Sequence, residues 1–308
     1  MKVDVIIPVY RPGKELFSLL DALERQTVRP EQIILMNTES KYFEQLVEGM
    51  DFQQKYPEVS VHHITKMEFD HGGTRNRGAE WSEGDFFVMM TQDAVPVDDR
   101  LIEQLLVPFE DRRVAVSYAR QLPGEHSDEL EIISREFNYP PQSLRKSKAD
   151  LEQMGIKTFF CSDVCAAYRK ETYVELGGFV RRTIFNEDMI YAARAIEAGY
   201  VVAYQAQARV IHSHSYTNLQ QLRRNFDLGV SQADHPEVFG SVKSESEGMK
   251  LVRRAWQRLK EQGRLIRFPG FCVQCGFKLI GYKLGRNYRK LSPRMIRRLT
   301  SNQDYWNF

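Results

Sequence analysis

The chain has 308 residues, 42% of them hydrophobic and 27% charged, with a formal net charge of +2. These are the proportions of an ordinary folded protein with a large core, and no run approaches the ~20 apolar residues that span a bilayer. The opening Met1-Lys2-Val3-Asp4-Val5-Ile6-Ile7-Pro8 reads directly into a strand without a signal-peptide pattern, so a cytoplasmic protein is expected.

Val3 to Tyr10 reads as a first strand, and Leu16, Leu19, Leu20 and Leu23 follow at helical spacing, predicting a helix over Glu15 to Gln26. Gln32 to Asn37 is a second buried strand, Phe43 to Lys55 a helix and Val59 to Thr65 a third strand. Gly72-Gly73-Thr74 opens a helix running to Trp81. The apolar run Phe86-Phe87-Val88-Met89-Met90 then reads as a strand buried on both faces, ending near Asp93. Helix is expected over Asp98 to Phe109 and strand over Val114 to Gln121. Glu125 to Lys157, broken by Pro140-Pro141, reads as an irregular polar stretch that could cover a site as a mobile loop. Phe159 to Tyr168 is strand-like, Glu171 to Leu176 a short helix stopped by Gly177-Gly178, Asn186 to Ala198 an amphipathic helix, and Val201 to His214 a strand. From Leu219 onward the pattern is helical. The alternation predicts an α/β fold with a doubly wound, mostly parallel sheet.

Charge is unevenly spread. Met249 to Phe308 carries 15 Lys and Arg against two acids, about +13, which leaves about −11 for the rest. Basic helices with Trp256, Phe277 and Tyr282 among their charges suit an anionic membrane surface or the acidic body itself. Nucleic acid is the poorer partner, because no motif for it accompanies the charge. Cys272 and Cys275 have the spacing of half a zinc site, but their apolar helical surroundings favour free thiols, as for Cys161 and Cys165.

Four features carry chemistry. Asp93 is a hard carboxylate at a strand end, where open α/β sheets bind ligands, and it suits a divalent metal that holds a diphosphate. Asp70-His71-Gly72-Gly73-Thr74-Arg75 precedes or opens a helix whose amides and arginine could meet phosphate. Asn186 is placed to cap a helix with Glu187 and Asp188 in its first turn, where a carboxylate can act as a general base. The helix dipole lowers such a carboxylate's basicity; burial or the neighbouring Glu187 would restore it. His212 and His214, two apart on a strand, point to one face and can join a carboxylate on a metal. Together they describe group transfer from an activated diphosphate to a hydroxyl.

With these residues in place, the sequence resembles the family-2 glycosyltransferases of GT-A fold. The shared strings, in family order, are Val5-Ile6-Ile7-Pro8-Val9-Tyr10, Gln26-Thr27, Arg75-Asn76-Arg77-Gly78, Thr91-Gln92-Asp93, Leu176-Gly177-Gly178-Phe179 and Glu187-Asp188. Within that family it is most similar to bacterial rhamnosyltransferases, through Asn37-Thr38-Glu39-Ser40, Phe69-Asp70-His71-Gly72-Gly73-Thr74-Arg75-Asn76, Thr91-Gln92-Asp93-Ala94 and His212-Ser213-His214.

The resemblance implies a catalytic domain over residues 1–235 with a basic helical extension over 236–308. It implies an inverting transfer of L-rhamnose from dTDP-β-L-rhamnose to a saccharide acceptor, often lipid-linked. Such an acceptor would make use of the basic tail, which could place a cytoplasmic enzyme peripherally on the inner membrane face. Asp188 takes the position of the catalytic base, with Glu187 beside it. Asp93, His212 and His214 are the expected ligands of Mg or Mn. Thr91 stands where the family's metal motif has its first acid, so Asp93 is expected to work with a histidine rather than with a second aspartate. Pro8, Tyr10, Asn37, Thr38 and Glu39 lie where the family holds the nucleoside. Asp70, Arg75, Thr91 and Gln92 fall with the rest of the donor, and Asp163 near the transferred or accepting sugar. The same fold with a UDP-hexose or UDP-N-acetylhexosamine donor, and an inactive nucleotide- or membrane-binding scaffold, are the alternatives.

Overall fold

The computed structural model describes residues 1–214, 216–240 and 245–307. Residues 241–244 and Phe308, which belong to the expected extension, lie outside the described residues. The strands are β1 (Val3–Tyr10), β2 (Gln32–Thr38), β3 (Val59–Ile64), β4 (Phe86–Met90), β5 (Val95–Pro96), β6 (Val114–Leu122), β7 (Leu144–Lys146), β8 (Cys165–Arg169) and β9 (Val201–Ile211). They form one sheet in the order β3-β2-β1-β4-β8-β6-β9-β5, with β7 also on β9.

The pairing is parallel through β3, β2, β1 and β4, and again between β6 and β9. β8 runs antiparallel between β4 and β6, and β5 and β7 are antiparallel to β9. The four parallel strands from the N-terminal half point their carboxyl ends at one edge, so Tyr10, Thr38, Ile64 and Met90 stand at one rim. That rim is where an open α/β sheet receives its ligand.

Layers of helix make both faces of the sheet dry. Leu16, Leu19, Leu20 and Leu23 of the helix Glu15–Glu24 pack on one face with Val5, Ile7, Leu35 and Val88. On the other, Ile190, Tyr191 and Ile196 of the helix Glu187–Glu197 join Ile6, Phe87, Met89 and Tyr168. This is why all five residues of β4 are buried: its even and odd side chains enter different cores.

Several local expectations change. The helix over Phe43 to Lys55 is two helices, Ser40–Leu46 and Phe52–Lys55, parted where Gly49 adopts φ +76°. The run Phe159 to Tyr168 becomes strand only from Cys165; Phe159 closes the 3-10 turn Gly155–Phe159. The stretch Glu125 to Lys157 is not an irregular cover. It holds the helix Glu129–Asn138, capped by Asp128 accepting from Glu131 N–H at 2.7 Å, followed by β7.

The basic helices are docked on the body. In the helix Phe268–Arg286, a Cβ on Gly281 or Gly285 would lie 2.1 or 2.0 Å from the carbonyl oxygens of Leu222 or Phe226, so only glycine lets it meet the helix Asn218–Asp234. Ala255, Leu259 and Phe271 bury against Ile133, and Arg264 and Arg267 pair with Glu129 at 3.4 and 3.3 Å. Part of the tail's charge is thus answered by the acidic body. Trp256, Ile266, Val273, Leu279 and Ile280 nevertheless stay exposed. No described helix is long and apolar enough to cross a membrane. Of the free thiols, Cys161 and Cys165 are buried, as expected, whereas Cys272 is exposed.

Candidate active site

Asp93 lies three residues past β4, in the turn before β5. The antiparallel pairing of Val95 with Ile211 carries the end of β9 to that turn, and with it His212 and His214. Asp93 Oδ2 lies 3.0 Å from His214 Nε2 and 3.6 Å from His212 Nε2. Among the described residues these three form the one group of side chains arranged as metal ligands. Burial would raise the Asp93 carboxyl, but the adjacent imidazoles of His212 and His214 outweigh it and hold the group below the usual carboxylate range.

Each histidine is held by a second partner. His212 Nδ1 meets Gln121 Oε1 at 3.0 Å, and Arg135 also donates to that oxygen. Gln121 Nε2 in turn donates to the Tyr139 hydroxyl and, at 2.9 Å, to Ser162 Oγ. Glu131 accepts from Ser213 Oγ at 3.0 Å and from His214 N–H at 3.1 Å, fixing the turn between the imidazoles. Gln121, Arg135 and Glu131 did not stand out in the sequence. Gln121 sits at the same sheet rim, near the end of β6, which is the signal that could have found it.

A cluster of carboxylates adjoins this trio, since Ser162 leads into Asp163. Asp188 Oδ2 accepts from Asp163 N–H at 3.1 Å, and its Oδ1 from Met189 N–H at 2.7 Å. Arg75 Nε lies 3.2 Å from Asp163 Oδ2, and its Nη1 lies 3.2 Å from Glu187 Oε1. Arg75 is only 6% exposed, so its guanidinium serves these acids instead of facing the open cleft. Burial pushes the Asp163 carboxyl up to about 7, with Arg75 opposing. Asp188 is raised too, first by burial and then by repulsion from Glu187 and Asp163. The dipole that should make a first-turn carboxylate a poor base is therefore overcome. Asn186 occupies the cap position but in a left-handed conformation, φ 65°, and its side chain makes no capping bond.

An open cleft of about 640 Å³ lies along the sheet rim. Tyr10, Thr38, Asp70, His71, Phe185 and Arg224 line it, as do residues 301–305 and Asn307. Asp93, Asp188, His212 and His214 do not line it; its wall meets the carboxylate cluster at His71, whose Nδ1 lies 3.9 Å from Glu187 Oε1. Thr38 Oγ1 is buried without a hydrogen-bond partner, an atom suited to a ligand. Gln92 does not reach into the cleft. Its amide makes paired bonds with Tyr10, accepting from N–H at 2.9 Å and donating to the carbonyl at 3.1 Å, which fastens the end of β1 beside Asp93. Thr91 is engaged through its backbone, N–H to Val164 O at 3.1 Å.

Other expected donor residues have local work. Asp70 caps the helix His71–Trp81 by accepting from Gly73 N–H, and also accepts from Arg182 and Thr183 N–H. Asn37 is fully buried, with Nδ2 on His63 Nδ1 at 2.9 Å, and Glu39 accepts from Lys66 N–H at 2.8 Å. Pro8 is partly buried within β1 and does not line the cleft. Arg224 was missed in the sequence. It stands on the cleft wall with its guanidinium over the Phe185 and Tyr216 rings, at 5.4 and 4.8 Å, and Tyr216 lies 5.1 Å from the His214 ring.

A cleft at the strand ends, a candidate metal trio and a raised carboxylate together are the equipment of a nucleotide-sugar transferase. Residues 4–177 match the profile of glycosyl transferase family 2, and the chain belongs to that family. It is a glycosyltransferase of mixed α/β fold. Two relatives align along nearly its whole length. The O-antigen chain rhamnosyltransferase RfbN of Salmonella typhimurium is 37% identical, covering 100% of this chain and 96% of the relative. The O-antigen chain rhamnosyltransferase WbaN of Salmonella anatum is 37% identical over 98% and 95%. Among solved structures, a mannosyltransferase of Pyrobaculum calidifontis in complex with GDP-Man and Mn2+ superposes with TM-score 0.56 at 13% identity, covering 99% of this chain and 84% of that one. S. aureus TarS in complex with UDP-GlcNAc gives 0.51 at 13% identity, over 94% and 92%. At such identity these two speak for the fold alone.

Proposed function

We propose that the chain is an inverting, metal-dependent rhamnosyltransferase. It would transfer L-rhamnose from dTDP-β-L-rhamnose to a hydroxyl of a cell-surface polysaccharide acceptor of the O-antigen kind, lipid-linked during growth. The observation that carries the chemistry is Asp188, a carboxylate raised by burial and like charge, joined through Asp163, Ser162 and Gln121 to the Asp93–His212–His214 trio. The full-length likeness to two rhamnosyltransferases supports the choice of sugar.

In this reading Asp188 accepts the proton of the acceptor hydroxyl. The freed oxygen forms its bond to the anomeric carbon as the bond from that carbon to the diphosphate breaks, so the configuration inverts. A raised pKa makes Asp188 the better acceptor of that proton. Tyr10 and Thr38 flank the nucleoside, and Arg224 offers a cation toward the diphosphate. Asp93, His212 and His214 would hold a divalent ion, which when bound stabilises the charge of the departing diphosphate. One carboxylate oxygen with two imidazole nitrogens suits Mn better than Mg, which prefers oxygen ligands throughout.

Two exposed apolar residues of the docked tail, Leu279 and Ile280, lie within two helical turns of exposed Lys283 and Arg286. They support peripheral attachment to an anionic membrane, where a lipid-linked acceptor would be found. The direct test of the base is Asp188→Asn, which should lose transfer by at least about 10²-fold while still binding donor. Undiminished transfer in that variant would remove Asp188 from the role.

A further inference from the structure

We infer that residues 302–305 are donor-positioning residues, completing the wall of the nucleotide cleft that the family-2 region leaves open. The family match ends at residue 177, yet Asn302, Gln303, Asp304 and Tyr305 face the same cleft as Tyr10 and Thr38. This inference rests on the reading of that cleft as the donor site.

The segment is built into place. The helix Pro293–Leu299 ends at Thr300, which is 2% exposed and donates from Oγ1 to Asp227 Oδ1 at 2.6 Å. Ser301 N–H donates to the other oxygen of Asp227 at 2.8 Å. Asp227 is itself 3% exposed and lies on the helix that carries Arg224, so this pair of hydrogen bonds sets the direction in which the chain leaves toward the cleft. Trp306 then packs edge-on against the Tyr288 ring, 5.5 Å away, while the Tyr305 hydroxyl donates to Arg182 O at 3.2 Å across the opening. At the far rim Asp304 Oδ2 meets Lys66 Nζ at 2.7 Å. Lys66 follows β3 and sits by the nucleoside end of the cleft, so this ion pair closes a ring of protein around it.

The anchor and the clasp differ in strength. The Asp227 contacts are buried, whereas the Lys66 and Asp304 side chains are about half exposed, 52% and 41%. An exposed pair of this kind contributes little and is weakened by salt. The wall can therefore yield at Lys66–Asp304 when a donor enters, while Thr300 and Ser301 hold its base.

The test is binding of dTDP and UDP, with Mn present, by calorimetry, together with steady-state kinetics against donor and acceptor. Three proteins are compared with the full chain: one ending at Ser301, Asp304→Lys, and the swap Lys66→Asp with Asp304→Lys. The first two should bind the nucleotide on the order of tenfold more weakly and raise the donor KM in proportion, with kcat and acceptor KM little changed. The swap should recover most of the affinity. Unchanged nucleotide affinity in both the shortened chain and Asp304→Lys would overturn the inference. So would a loss confined to kcat. If the full chain itself bound neither nucleotide, the reading of the cleft as a donor site would fail first, a separate outcome.

Discussion

His212 and His214 face one another with their Nε2 atoms 2.8 Å apart, and Gln121 decides the character of that contact. Gln121 Oε1 is an acceptor shared by Arg135 and His212, so a neutral His212 carries its hydrogen on Nδ1 and keeps its Nε2 lone pair for an ion shared with Asp93. That is the tautomer a metal ligand needs, and groups that fix it tune affinity. Gln121→Leu should therefore weaken Mn binding by about 10- to 100-fold with the fold intact. Metal titration by calorimetry, with circular dichroism as the control, would show this; unaltered Mn affinity would detach Gln121 from the site.

The carboxylate cluster makes a prediction about pH. Asp188 is raised by burial and by Glu187 and Asp163, so its proton comes off above the ordinary carboxylate range. Transfer needs the deprotonated form, and kcat should fall as pH drops through that raised value. Asp163→Asn removes one repelling charge and should move the acid limb of the kcat profile to lower pH. A limb that stays in place, or moves up, would show that Asp163 does not set the basicity of Asp188.

Arg75 is the counter-charge for two buried acids, lying 3.2 Å from both Asp163 and Glu187. Removing one partner of such a buried arrangement leaves uncompensated charge and costs about 3–5 kcal/mol. Arg75→Met should lower the melting temperature strongly at neutral pH, and less in acid, where Asp163, pushed up to about 7, becomes neutral. An equal loss at both pH values would contradict the pairing.

The tail should bind anionic surfaces in a salt-dependent way. Lys and Arg near such a surface contribute about 1 kcal/mol each, and Ile280, which is 53% exposed, offers an apolar contact beside Lys283. Sedimentation with phosphatidylglycerol vesicles should capture the protein at low salt, and Ile280→Asp should reduce capture. Equal capture by neutral phosphatidylcholine vesicles would argue against an electrostatic attachment.

The strands and principal helices of the sheet were legible because their periodicity is strong: β1 spans the residues its apolar pattern predicts, and β4 is buried on both faces as a continuous apolar run must be. The helix Glu129–Asn138 was not. Its local signals are short, Asp128 three residues before Glu131 as a cap and Ile133 with Phe137 at helical spacing, and they are outweighed by the Pro140-Pro141 break; its contacts with the tail at Ile133 and Glu129 are not visible in the sequence. In the site, Asp93, His212 and His214 could be grouped by chemistry in advance. The antiparallel pairing of Val95 with Ile211, which brings them together, could not. Arg75 misled for a related reason: an arginine opening a helix reads as a phosphate ligand until Asp163 and Glu187, distant in sequence, are found beside it.

The central claim is tested most directly by presenting purified protein and Mn with dTDP-β-L-rhamnose, UDP-glucose and UDP-N-acetylglucosamine in turn, with a saccharide acceptor, and measuring release of free nucleoside diphosphate. The account predicts Mn-dependent release from dTDP-rhamnose well above the other two, abolished by Asp93→Ala and by Asp188→Asn. Preferred turnover of a UDP-sugar, or release that persists in Asp188→Asn, would contradict it.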